Sequence, residues 1–167
     1  MPDLKEIKRA GVSDEEVVAR AIFSPSFFKR DGTIGPQAFF LTPLRGGRRE
    51  KDISVLRESL CEDLVNSVRR IPPRNDRDKV SGYAELEVKA IRSLSYQRQT
   101  DDVVVDVLAS PSVSQPAHAS IIIKNHNRHY TSADNILRPL PPALMNIMSK
   151  LATISTYAPF TVQEATE

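Results

Sequence analysis

The sequence predicts an α+β domain, an antiparallel sheet of three or more strands with two main helices packed on it. Three observations carry this. Apolar and polar residues alternate with period two from Val80 to Leu94. Two β-branched runs follow, at Val103–Leu108 and His118–Lys124. Apolar residues recur at helical spacing over 53–68 and again over 144–154. Strands and helices do not alternate as βαβ units, which argues against a doubly wound parallel sheet.

The 167 residues fit one domain over 1–167 with frayed ends at 1–12 and 158–167, and 40% hydrophobic with 26% charged residues is globular composition. Twelve prolines against six glycines mark long, punctuated connections. A lone Cys61 forms no internal disulfide, the start of the chain lacks the apolar core of a signal peptide, and no apolar run reaches bilayer-spanning length. The expected setting is therefore cytoplasmic, without a membrane. Residues 1–100 hold 19 Lys/Arg against 15 Asp/Glu and residues 101–167 hold 4 against 6, so the basic excess sits early.

Ser13 with Glu16 three residues later reads as a capping box, while Val17–Phe23 reads equally well as a strand leaving that turn. Residues 24–36 are dense in turn formers. Asp31-Gly32 lies between Phe27-Phe28 and the apolar run ending in Phe39 and Phe40. Residues 45–52 read as a solvated stretch. Ile53, Leu56, Leu60, Leu64 and Val68 then share a helical face, with Arg69-Arg70 suited to the helix C-terminus and Pro72-Pro73 to its end. Val80–Leu94, Val103–Leu108 and His118–Lys124 form three successive strands, expected as a meander. A last helix spans about Ala143–Thr156.

Several groups could carry chemistry. His118, His126 and His129 fall within twelve residues and are the metal candidates, although their spacing matches no ligand pattern and no cysteine lies near. Asp101, Asp102 and Asp106 form an acidic group on one strand, with Asp102 and Asp106 on one face. Cys61 reads as a packed thiol. No glycine-rich phosphate loop or G-x-S-x-G elbow is present, and no cofactor is implied. Arg45, Arg48, Arg49, Arg69, Arg70, Arg74 and Arg77 bracket the predicted helix and could meet a phosphate backbone, diluted by interspersed acids. Phe27, Phe28, Phe39 and Phe40, where exposed, would make a docking patch.

The pentapeptide Ala117-His118-Ala119-Ser120-Ile121 looks like one half of the two-histidine phosphoesterase signature. The other candidate half, Arg128-His129-Tyr130-Thr131-Ser132, lacks apolar flanks, and no histidine precedes position 118, so that family is rejected. Four stretches together resemble a group of small, uncharacterised bacterial proteins. They are Ala19-Arg20-Ala21-Ile22-Phe23-Ser24-Pro25-Ser26-Phe27, Gly32-Thr33-Ile34 leading to Ala38-Phe39-Phe40, Asp52-Ile53-Ser54-Val55-Leu56-Arg57, and His118-Ala119-Ser120-Ile121. That resemblance implies a bacterial origin and no activity.

It also singles out Arg20, Arg57 and His118, which in one pocket could hold an anion. Alternatively, Arg57 simply pairs with Glu50 or Glu62, and His118 caps a strand end. The expected function is a non-catalytic accessory module of a bacterial multi-protein system, partnered by a protein of the same operon or by a second copy. The alternatives are nucleic-acid binding through the arginines, and a phosphoester hydrolase using His118 with Ser120, Arg20 and Arg57.

Overall fold

The computed structural model describes residues 3–39, 52–73, 76–98, 101–125 and 142–157. The elements run α1 (Leu4–Ala10), β1 (Val17–Ser24), a 3-10 turn (Pro36–Phe39), β2 (Ile53–Arg57), a 3-10 turn (Glu58–Leu60), α2 (Leu64–Arg69), β3 (Lys79–Glu87), α3 (Val88–Arg92), β4 (Ser95–Arg98), β5 (Asp101–Ala109), β6 (His118–Asn125), α4 (Pro142–Leu151) and β7 (Thr153–Thr156). The strands make a seven-stranded sheet in the order β4-β5-β6-β2-β1-β3-β7, and every neighbouring pair is antiparallel. The α+β class predicted from the residue pattern is what the chain adopts.

One face of the sheet is the packed face. Val18 and Ile22 of β1, Ile53 and Val55 of β2, Ala84 and Leu86 of β3, Val105 and Val107 of β5, and Ala119 and Ile121 of β6 are all buried in one cluster. Removing a full Val, Leu or Ile side chain from water is worth about 1.5–3 kcal/mol each, so this layer dominates the fold's stability. Val88 and Ile91 of α3 join it, and α3 packs against β3 and β5 as the chain crosses from one side of the sheet to the other. α2 packs on β3, and α4 packs on the 36–39 turn with Met148 fully buried.

The predicted helix over 53–70 is corrected most. Its first part is β2, a central strand bonded to β1 on one side and β6 on the other. Ile53, Val55 and Leu56 are buried on both faces of the sheet, so their apolar spacing reports a doubly covered strand and only coincides with a helical stripe. The helical part begins at Leu64, where Asp63 caps the backbone N–H of Asn66 at 3.1 Å.

Three further corrections share this cause, in that pairing partners override local pattern. Val88–Arg92 is a helix instead of the end of a strand, and Thr153–Thr156 is an edge strand on β3 instead of the end of the last helix. The meander is β4-β5-β6, because β3 pairs with β1 across the sheet. Ser13 and Glu16 make only a turn, with the Glu16 carboxylate accepting from the Ser13 N–H at 3.0 Å, before the chain leaves as β1. Within 1–12, where a frayed end is expected, Leu4–Ala10 is helical under an Asp3 cap and buries Ile7. Residues 158–167 lie outside the described residues.

Gly82 of β3 shows why β7 docks where it does. A Cβ at that position would fall onto the Ser155 carbonyl oxygen and lie 2.9 Å from the Thr156 Cα, so the edge strand approaches a position that only glycine leaves open.

Candidate functional site

β5 and β6 bring together two serines and a histidine. The Nδ1 of His118 lies 2.7 Å from Ser110 Oγ and 3.0 Å from the Ser110 carbonyl oxygen, and Ser110 Oγ lies 3.0 Å from the buried Ser120 Oγ. The backbone fixes this arrangement. Ser110 N–H donates to His118 O and His118 N–H donates to Gln115 O, both at 3.1 Å, closing the 110–117 loop onto the start of β6. A carbonyl oxygen only accepts, so the neutral ring is better satisfied with its proton on Nδ1, which leaves Nε2 as a bare acceptor. Nε2 makes no hydrogen bond among the described residues.

Two adjoining spaces open on this side of the sheet. A groove of about 700 Å³ runs between Leu56, the second 3-10 turn and α2 on one wall and Ser114–Ala117 on the other. A smaller cavity of about 180 Å³ sits beside it and includes His118. The two share Leu56, Pro72 and Gln115 in their walls.

Arg20 and Arg57 do not complete a charged site with His118. Leu56 stands opposite both Ala19 and His118, so those three share a face, and the next residues, Arg20 and Arg57, point to the other. Arg20 is 1% exposed. Its Nε donates to Ala38 O at 3.0 Å and one terminal nitrogen to Ser54 O at 2.9 Å, with its guanidinium 5.8 Å from the Phe27 ring centre.

Arg57 pairs with neither Glu50 nor Glu62 but with Glu16, through two hydrogen bonds of 2.7 Å. Ser59 Oγ adds a third at 3.0 Å. Burial alone would raise the Glu16 pKa, but the hydrogen bonds from Arg57, Ser13 and Ser59 outweigh it and hold the carboxyl below its ordinary range. Arg57 Nη1 is buried without a hydrogen-bond partner among the described residues. Both arginines thus serve the fold.

The remaining candidates disperse. Phe27, Phe28 and Phe39 are buried in the core, so they are spent inside and form no exposed patch; Phe40 lies outside the described residues. Arg69 stacks on the Tyr157 ring at 4.5 Å and Arg70 lines the groove, while Arg45, Arg48, Arg49 and Arg74 lie outside the described residues and Arg77 is exposed. His126 and His129 also lie outside them, and no group of three metal-ligating side chains occurs among the described residues. Asp106 accepts from Arg92 Nε at 2.8 Å, and Arg92 also binds Asp14 at 2.7 Å and Val107 O at 3.0 Å. Burial pushes the Cys61 thiol pKa up; the hydrogen bond from Ser67 opposes this and the Glu58 charge adds to it, so the group stays a thiol in the groove wall.

Sequence reasoning missed Ser110, Gln115 and Glu16. Ser110 and Gln115 sit in a loop with no motif, and Glu16 meets Arg57 only because β1 and β2 pair. No helix among the described residues is long and apolar enough to cross a membrane. No family model matches the chain, and neither does any curated protein or any solved structure.

Proposed function

We propose that the protein is a non-catalytic interaction module that holds an extended segment of a partner protein in the groove between α2 and the 110–117 loop. The observation that carries this reading is the groove itself, about 700 Å³, with apolar wall residues Leu56, Leu60, Pro72, Pro116 and Ala117 and polar side chains of Asn66, Arg70 and Gln115 among them. Glu62, Asp63, Ser67 and Ser114 also line it, and a mixed apolar and polar lining of this kind can hold a chain's side chains and its backbone groups together. The partner is a protein encoded beside this one, with self-association as the competing form.

The test uses purified neighbours of the gene and two forms of this protein, the natural chain and Gln115→Trp, which plugs the groove from its loop wall. Retention of a partner by the first and its loss in the second, at unchanged thermal stability, supports the reading. Equal retention by both forms, or none by either, overturns it. A salt-sensitive association with RNA or DNA in its place would favour the arginine-based alternative.

A second reading rests on the 2.7 Å contact between Ser110 Oγ and His118 Nδ1, which resembles an alcohol beside its base. A phosphoester hydrolase working this way needs Nδ1 unprotonated, which sets its lone pair against the Ser110 carbonyl oxygen 3.0 Å away. The geometry favours binding over catalysis. Turnover of bis-p-nitrophenyl phosphate that disappears in Ser110→Ala and in His118→Asn would reverse that order.

A further inference from the structure

Ser110 lies on the β5 side of His118, and Nδ1 faces it. The two ring nitrogens diverge, so Nε2 is turned away from Ser110, which does not line the cavity that His118 borders. That cavity, of about 180 Å³, has Phe23, Leu56, Ile71 and Pro72 as apolar walls. Arg20 also borders it, although its side chain leaves from the opposite face of β1 and its guanidinium is held by the Ala38 and Ser54 carbonyls. The space is suited to one ring, since an apolar cavity of about 150 Å³ takes up benzene. Ser54 and Gln115 also line it, and His118 Nε2 has no hydrogen-bond partner among the described residues, so a ring that covers this nitrogen without bringing a donor strips its water and leaves it unmet.

We propose that this cavity binds a phenol, its ring against Phe23, Leu56 and Pro72 and its hydroxyl donating to His118 Nε2. Resting on the groove reading above, the phenol belongs to a tyrosine side chain of the bound partner segment, which enters from the groove where the two spaces share Leu56, Pro72 and Gln115. A carboxylate or phosphate fits less well. It would shed its hydration among apolar walls, and the Arg20 guanidinium is already engaged by two carbonyls. A plain hydrocarbon ring would leave Nε2 dry and unpaired.

Titrations of the full chain with p-cresol and with toluene, followed by the ring-proton NMR signals of the histidines, test the proposal without any variant. Toluene is the more hydrophobic of the pair, so burial alone ranks it first. The expected result is p-cresol binding about five- to tenfold more tightly, the worth of one neutral hydrogen bond. In His118→Leu the preference should vanish while toluene binding persists. Toluene binding equally or better to the natural protein overturns the proposal, as does failure of both to bind, or a preference for p-cresyl phosphate. If p-cresol binds as stated but no partner is retained, the groove reading fails alone. If a partner is retained and lost in Gln115→Trp while p-cresol does not bind, the phenol assignment fails alone.

Discussion

Glu16 and Arg57, 41 positions apart, close a bidentate ion pair with two 2.7 Å hydrogen bonds that ties the turn before β1 to the end of β2. The carboxylate also accepts from Ser13 and Ser59, so its oxygens are saturated, and the backbone oxygen of Glu16 accepts from Val88 N–H at the start of α3. One residue thus joins three parts of the chain. Breaking a buried pair by removing one partner leaves the other charge uncompensated, which typically costs about 3–5 kcal/mol. Glu16→Ala and Arg57→Ala should each destabilise the protein by roughly that amount in urea unfolding. The double variant should cost clearly less than their sum; additive losses would show that the two residues do not act as a pair.

The same pair sets an acid dependence. The Glu16 pKa is lowered in the folded state, so between the folded and unfolded values the unfolded chain binds more protons. Its contribution is fully present above the ordinary glutamate range, near pH 4.5, and is lost as pH falls through the lowered folded value. Stability of the natural chain should therefore fall on acidification below that point, and Glu16→Gln should flatten that part of the profile. Equal slopes for the two proteins would sink this assignment.

β7 depends on the absence of a side chain at Gly82. Gly82→Val should lift β7 from β3 and cost about 1–3 kcal/mol, as overpacking does. Hydrogen exchange should accelerate at the amides of Thr153–Thr156, and the aromatic contact between Tyr83 and Tyr157 should be lost. Unchanged protection of β7 would show that the strand accommodates the larger residue.

Arg92 links α3 to β5 and to the 13–16 turn through Asp106, Val107 O and Asp14. The site is partly exposed, so solvent screens it, and Arg92→Met should cost only about 1–2 kcal/mol. The loss should shrink at high salt in its Asp14 component, since Asp14 is the more exposed partner. A salt-independent penalty would place the effect in packing and the Val107 hydrogen bond.

Cys61 has its thiol pKa raised by burial and by the nearby Glu58, with Ser67 opposing. Alkylation of the folded protein at neutral pH should be several-fold slower than that of a free cysteine, and unfolding should remove the difference. Faster modification in the folded state would contradict the raised pKa.

The α+β class and the placement of β5 and β6 were legible in the residue pattern. β-branched runs bounded by turn formers state their own structure, and a histidine two residues before a serine on a strand puts both on one face. Ile53–Arg57 was not legible. Five apolar or mixed residues buried on both faces lack the alternation that marks a half-exposed strand, and their spacing overlaps a helical stripe. The site was half legible for a related reason. Ser120 follows His118 in the same strand, whereas Ser110 reaches it only through the β5–β6 pairing.

By itself the sequence determined what kinds of local structure the chain can hold and that any buried arginine needed partners. Which partners they found was decided by the tertiary structure. Arg20 and Arg57 are drawn to one face and His118 to the other by strand register, because a pleated strand sends consecutive side chains to opposite sides. The groove exists because α2 and the 110–117 loop, distant in sequence, flank the same stretch of β2. No local pattern encodes either distance, since both follow from which strands lie side by side.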